Sequence, residues 1–385
     1  MALGLSGPAL AESPKLFDAE AGVDVHYESN VAHSDAAQAA LRGIKQSDVI
    51  VAPTIRLDLN HSLSRQSLFL RGALSYDIYS RNSRLNDTHS DLTGGMNTVF
   101  GLCRGDVDAS LIRRESDLED LTLTTPKNTE TLITTGLSQT CARRVGFGPT
   151  IDLRQTWATN SASVMKTTDY RNFVVTGGLA YQRPSFGVLS VFGQYSTSTY
   201  SNRFVPVGLA VRRDGQSVTA GGVRYVRRLG ARIEGSVSLS YSSLTGRAPG
   251  LAPFRGATYA VDVSYRVNSR LHLHSSFDRA VEPSNTLNAS YTIDRTVTAA
   301  ADYAVGARAI LSGGISHSDR TSRGVIVTAF DLTTDHLTDY FTSLRIPLGR
   351  RLYVAFDVRQ EERTANLNVF NYSSTRAGVS VGATF

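Results

Sequence analysis

Residues 256–267 read Gly-Ala-Thr-Tyr-Ala-Val-Asp-Val-Ser-Tyr-Arg-Val. Ala257, Tyr259, Val261, Val263, Tyr265 and Val267 share one parity, and Thr258, Asp262, Ser264 and Arg266 share the other. A period of two places apolar and polar groups on opposite faces of an extended strand. Residues 231–242 repeat the pattern, with Ala231, Ile233, Val237, Leu239 and Tyr241 against Arg232, Glu234, Ser236, Ser238 and Ser240. So do Val49, Val51, Ile55, Leu57 and Leu59 against Thr54, Arg56 and Asp58, and Leu352, Val354, Phe356 and Val358 against Tyr353, Asp357 and Arg359. The best helical stretch, Ala36 to Ile44, is short.

The connections between these strands alternate in length. Short ones at 103–106, 142–146, 183–187, 227–231, 268–270 and 348–350 are rich in Arg and Gly. Longer, more polar ones lie at 80–90, 117–128, 158–168, 199–215, 243–255, 319–334 and 362–373. Short turns at one end and long loops at the other are the arrangement of a Gram-negative outer-membrane barrel. Counting by connections predicts an all-β chain: a single closed antiparallel transmembrane barrel of about eighteen strands. Residues 279–305 read as two strands that run beyond the bilayer into a hairpin near Glu282 to Asn285, because a turn at Ile293 to Thr296 would break the even count. Phe100, Phe147, Tyr181, Tyr225, Tyr265 and Tyr303 lie near short turns, and Tyr27, Tyr76, Trp157, Tyr195, Tyr241 and Tyr259 lie toward long loops. Two such sets predict two headgroup girdles.

Composition narrows the function classes. Among 385 residues 41% are hydrophobic and only 19% charged, and no run of 18 apolar residues offers a transmembrane helix. Two cysteines cannot supply a disulfide framework or a thiolate cluster. The net charge of +6 is carried almost wholly by Arg spread along the chain, which argues against a nucleic-acid partner. Residues 1–13, MALGLSGPALAES, read as the tail of a secretory signal peptide cleaved after Ala11. Residues 1–11 are then a signal remnant, 12–17 a periplasmic segment and 18–385 the barrel.

At the other terminus Thr375, Ala377, Val379, Val381, Ala383 and Phe385 alternate with Arg376, Gly378, Ser380 and Gly382. The strand resembles the signal read by the barrel-insertion machinery, with Val379, Val381 and Phe385 as its apolar elements. The chain as a whole resembles the group called putative beta-barrel porin 2. The resemblance rests on the opening Val23-Asp24-Val25-His26-Tyr27-Glu28-Ser29-Asn30-Val31 and on the units Val261 to Ser275 and Ala289 to Ser316. The second unit departs from the group at Val297-Thr298-Ala299. The resemblance implies transport of a polymer or solute, with exopolysaccharide export as the leading function and a general or selective porin for small solutes as the alternative. It supplies no catalytic residues.

The candidate pore-lining residues are those of the polar parity: Arg56, Asp58, Arg71, Asp77, Arg154, Arg171, Arg224, Arg232, Glu234, Asp262, Arg266, His272, His274, Asp278, Asp302, Arg345, Asp357 and Arg359. They select a solute in a wet lumen, brace the wall as ion pairs, or do both. Arg104, Arg143, Arg144, Arg183, Arg227, Arg228, Arg270, Arg308, Arg350 and Arg351 cluster at the short turns. There they anchor to lipid headgroups or form a basic periplasmic mouth for an anionic polysaccharide or a periplasmic export partner. The other expected partners are outer-membrane lipid and lipopolysaccharide. Gly378-Val379-Ser380-Val381-Gly382 matches a nucleophile-elbow spacing but precedes no helix, so no catalytic site is expected. His272, His274 and Asp278 lack a recognisable further ligand, so neither a metal nor a cofactor is expected. Cys103 and Cys141 are placed at the periplasmic rim with one strand between them, roughly 10 Å apart, which leaves a disulfide open.

Overall fold

A computed structural model of the chain describes residues 16–115, 127–143, 145–207, 209–251, 253–284, 289–306, 308–324 and 332–385. The strands are β1 (Phe17–Glu28), β2 (Asp48–Leu63), β3 (Gln66–Tyr79), β4 (Asp87–Phe100), β5 (Cys103–Glu115), β6 (Thr129–Cys141) and β7 (Gly146–Asn160). Next come β8 (Tyr170–Arg183), β9 (Gly187–Val207), β10 (Ala210–Leu229), β11 (Ile233–Gly246), β12 (Phe254–Arg266) and β13 (Leu271–Pro283). β14 (Tyr291–Val305), β15 (Ala309–Arg323), β16 (Thr334–Leu348), β17 (Leu352–Ala365) and β18 (Tyr372–Thr384) complete the set. Each strand pairs antiparallel with its neighbours in sequence, and β1 pairs with β18 from Glu20↔Thr384 to Glu28↔Arg376. This closure leaves no free edge, the condition for backbone polar groups to survive in lipid.

Connections at the end where β1 starts are short, as small as Ser64-Arg65 and Gly101-Leu102. Gly101 sits at φ 61°, a left-handed conformation that favours glycine in so tight a turn. This end is periplasmic and the opposite end, with the long connections, is extracellular. There α1 (Ala36–Leu41), capped by Asp35, packs Ala39 with Ala32, Ile44 and Leu85 against Val31 and Tyr79. This small apolar cluster lies over β1–β3.

The structure corrects two expected connections: the short turn read at 103–106 lies at Gly101-Leu102, with Cys103 to Asp106 inside β5, and one long loop is largely strand. Residues 199–215 belong mostly to β9 and β10, whose 21 and 20 residues pair from Ala210↔Val207 to Val226↔Val188. Their polar composition reads as loop, yet strands of this length exceed the ~9–11 residues that span a membrane, so the hairpin projects into the medium. β14 runs unbroken through Ile293 to Thr296 and pairs with β13 as far as Pro283↔Tyr291. The hairpin expected near Glu282 to Asn285 therefore exists, with its strands ending at Pro283 and Tyr291. β1 starts at Phe17, one residue before the expected boundary, while the proposed cleavage after Ala11 lies outside the described residues.

Candidate functional site: the lumen and its extracellular mouth

Residues paired across a strand ladder share a face. Val23, Val25, Ile55, Leu74, Val191, Leu239, Val358 and Val381 are 43–59% exposed, and their parity faces lipid. The opposite parity lines the lumen. It carries Arg56, Asp58, Arg71, Asp77, Arg154, Arg224, Glu234, Asp262, Arg266, His272, His274, Asp278, Asp302, Arg345, Asp357 and Arg359. Two expected lining residues lie elsewhere. Arg171 opposes Trp157 and shares the outward parity of Phe173 near the extracellular end of β8, where headgroups solvate a guanidinium as well as a lumen does. Arg232 lies in the periplasmic turn between β10 and β11.

The lumen has two unlike walls. Around the seam, charges are tied into networks. Glu20 accepts from Arg56 Nη1 at 2.6 Å, Arg345 Nη2 at 2.8 Å and the Tyr353 hydroxyl at 2.7 Å. Tyr353 on β17 reaches Glu20 on β1 by lying across Gly382 of β18, where a Cβ would come within 2.5 Å of its ring. Above this, Arg376 pairs with Asp24 at 3.1 Å and Asp357 at 3.6 Å, and Arg359 bonds Asp339 at 2.6 Å and Glu361 at 3.2 Å. Of the roles expected for the charged rows, the ion pairs here brace the lumen wall. Glu20, Asp24, Asp339 and Arg376 were not among the expected lining residues, although their parity opposite Val23, Val25, Val379 and Val381 marks them.

The wall formed by β8–β12 is hydroxyl-rich, with its inward charges Arg224, Glu234, Asp262 and Arg266 toward the periplasmic half. Asn172, Gln194, Ser196, Ser198, Ser236, Ser238, Ser240, Ser242 and Thr258 share the inward parity. Ser196 and Ser198 donate to Asn172 Oδ1 at 2.9 and 3.0 Å, and Ser240 and Ser242 bond Thr258 at 2.7 and 2.8 Å. Arg224 and Arg266 make no ion pair among the described residues. His272 bonds Ser264 at 2.6 Å and lies 3.9 Å from Asp302. Asp278, six residues along the same strand, is roughly 20 Å away, so the structure does not bring this trio together. Ser380 of the G-x-S-x-G stretch lies inside β18, opposite Asp24 and Ala355.

At the extracellular mouth two hairpins meet. β13 pairs with β12 only as far as Tyr259↔Arg279, whereas β12 continues to Phe254 and β13 to Pro283. The freed end of the β13–β14 hairpin folds so that Tyr291, with Val281 and Ile293, packs against Leu244 and Phe254. Because Leu244 and Phe254 belong to the inward parity, this hairpin leans into the lumen. Tyr200 of β9, fully buried, donates its hydroxyl to Ser284 O at 2.6 Å and Ser290 O at 2.8 Å. Arg203 stacks 3.5 Å from the Tyr200 ring, donates to Ala289 O at 2.8 Å and pairs with buried Asp214 at 2.8 Å. The projecting β9–β10 hairpin is thereby latched to a hairpin four strands away. Sequence reasoning missed this latch, whose residues carry no motif.

At the periplasmic end Arg104, Arg143, Arg183, Arg227, Arg228, Arg270, Arg308, Arg350 and Arg351 lie in or beside the short turns, while Arg144 lies outside the described residues. Phe147, Tyr181, Phe186 and Tyr225 form a continuous aromatic chain with centroids 4.9, 6.1 and 5.3 Å apart, an interfacial girdle. Cys103 and Cys141 are also here, but their expected spacing is corrected. Cys103 opens β5 and faces Cys141 on adjacent β6 with Cα atoms 3.8 Å apart, and the two are disulfide-bonded.

A family model described as Putative beta-barrel porin 2 matches residues 16–385. No curated protein matches the chain significantly. Among solved structures, it is similar to OccK2 (OpdF) of Pseudomonas aeruginosa, at 12% identity over 96% of this chain and 98% of that one, with a TM-score of 0.49. OccAB3 of Acinetobacter baumannii is similar at 9% identity over 96% and 99%, with a TM-score of 0.45. The FrpB iron transporter of Neisseria meningitidis is similar at 8% identity over 90% of this chain and 62% of that one, with a TM-score of 0.46.

Proposed function

This chain belongs to the Putative beta-barrel porin 2 family and is a porin-like channel of the outer membrane, and from that premise we propose that its lumen is a conduit for export of an exopolysaccharide. The observation that carries the reading is the hydroxyl wall of β8–β12. A sugar chain presents donors and acceptors along its whole length, and Ser, Thr, Asn and Gln side chains can exchange contacts with it one at a time. Conduction requires such weak, multiple sites rather than one tight one. On the opposite wall, charges already satisfied in networks offer little to hold a chain. Arg224 and Arg266 would meet its carboxylates if the polymer is anionic. The arginines at the periplasmic turns would concentrate that polymer or dock an acidic export partner.

The latch at the mouth supports a second reading, a diffusion porin for small solutes, since it narrows the exit a polymer would use. Planar-bilayer recordings with oligosaccharides of increasing length separate the two. An export conduit gives current blockades whose dwell time grows with chain length. Ready passage of short sugars with no length dependence would overturn export and favour the small-solute porin.

A further inference from the structure

On the outer wall, at the upper edge of the apolar band, three metal-ligating side chains converge. His317 and Asp319 lie two apart on β15, and Asp319 faces His336 of β16 across the ladder. All three share the outward parity of Ile315, which opposes Tyr340. His317 Nε2 lies 3.2 Å from Asp319 Oδ1, and His336 Nδ1 is hydrogen-bonded to the same oxygen. One ligand atom from each residue falls within 4.8 Å of the others. We infer that His317, Asp319 and His336 form a binding site for a divalent transition ion such as Zn²⁺ on the outer surface of the barrel.

Four features argue for the site. Tetrahedral zinc with bonds of ~2.0–2.2 Å holds its ligand atoms roughly 3.4 Å apart, so the His317–Asp319 edge already has the right length. Thr338, paired with His317 across the ladder, bonds His317 Nδ1 at 2.8 Å. When Nδ1 carries the proton, Nε2 has its lone pair free, which is how an outer partner orients a metal-bound imidazole. The ligands sit on alternate rungs of a hydrogen-bonded ladder, on one face, so little ordering is needed on binding. Finally, their side chains are 39–54% exposed, which leaves room for water or an anionic oxygen as the fourth ligand.

The height of the site names its surroundings. His317 and Asp319 are eight and ten residues above Ala309 at the periplasmic start of β15. At ~3.4 Å per residue and a tilt near 40° that is roughly 21–26 Å, the upper edge of an apolar band ~25 Å tall. An ion held there meets the headgroup layer of the outer leaflet. Two imidazoles and one carboxylate select a late first-row ion over Mg²⁺ or Ca²⁺, which prefer all-oxygen shells.

The test is calorimetric titration of Zn²⁺ into the detergent-solubilised full chain with Mg²⁺ in excess, with unheated and boiled gel mobility as the control for folding. The site predicts about one equivalent of saturable Zn²⁺. Thr338→Val should weaken it about tenfold, and His336→Ala or Asp319→Asn at least as much as the ~10–100-fold that losing an outer partner costs. The double variant His272→Gln/His274→Gln should bind like the parent. Absence of saturable Zn²⁺ binding, or unchanged binding in a folded His336→Ala barrel, overturns the inference.

Discussion

Glu20→Ala should weaken the barrel at its seam by an amount the geometry allows to be estimated. The carboxylate accepts three bonds, from β2, β16 and β17, and so ties together strands on both sides of the β1–β18 junction. Were all three buried, each bond to a charged group would contribute ~1.5–3 kcal/mol. Arg56 and Arg345 are 57% and 41% exposed, however, and solvent reduces each of those pairs to about 0.2–1 kcal/mol. Tyr353 is only 7% exposed, so its hydroxyl, left without the carboxylate, adds about 1–2 kcal/mol. The sum is about 1.4–4 kcal/mol, or roughly a 10- to 900-fold shift in the unfolding equilibrium. Urea unfolding in micelles, followed by Trp157 fluorescence and by the mobility of unheated samples on SDS gels, would measure it. Tyr353→Phe should lose about 1 kcal/mol, and Glu20→Ala/Tyr353→Phe should lose less than the sum of the single changes, because the two share one bond. An unchanged urea midpoint for Glu20→Ala, or strict additivity in the pair, would refute a seam held by this network.

Three further outcomes follow from other parts of the wall. Deleting Phe385, whose amide donates to Ala19 O at 2.8 Å, should lower outer-membrane yield. Val379→Asp should lower it more than Val381→Asp, because Val379 lies nearer the bilayer midplane, where a charge costs up to ~2–4 kcal/mol; fractionation and immunoblotting would show equal yields if the topology were wrong. A membrane-impermeant thiol reagent should label neither Cys103 nor Cys141 without reductant. Once reduced, both should react in opened cells and neither in intact ones, and labelling of one from outside would contradict the periplasmic rim. Tyr200→Ala removes the two Tyr200 bonds to the β13–β14 hairpin and the ring on which Arg203 stacks, so single-channel conductance should rise or fluctuate between levels, and an unaltered trace would show that the latch does not limit the mouth.

What the sequence discloses and what it hides divide along the strand direction. Alternation is local, so the parity that exposes Val261 and Val263 to lipid and turns Asp262 into the lumen can be read without knowing any neighbour. Loop sorting is also local to each connection, and together they yield the eighteen strands, the closure and the outer-membrane setting. Cross-strand register is not local: it depends on where each turn falls. Taking Cys103 to Asp106 as a turn, when the chain reverses at Gly101-Leu102, separated by a whole strand two cysteines that face each other. Arg171 shows a different limit, because above the apolar band a charge no longer identifies the lumen-facing parity. The latch at Tyr200 and the His317–Asp319–His336 cluster combine both difficulties. His317-Ser318-Asp319 is visible as a same-face pair, but its third member is reached only through the β15–β16 register, and Tyr200 meets its acceptors only because β13 leaves β12 beyond Arg279. In a barrel, then, sequence periodicity assigns each side chain to lipid or lumen, while its chemical neighbours are set by the stagger of strands that no single segment encodes.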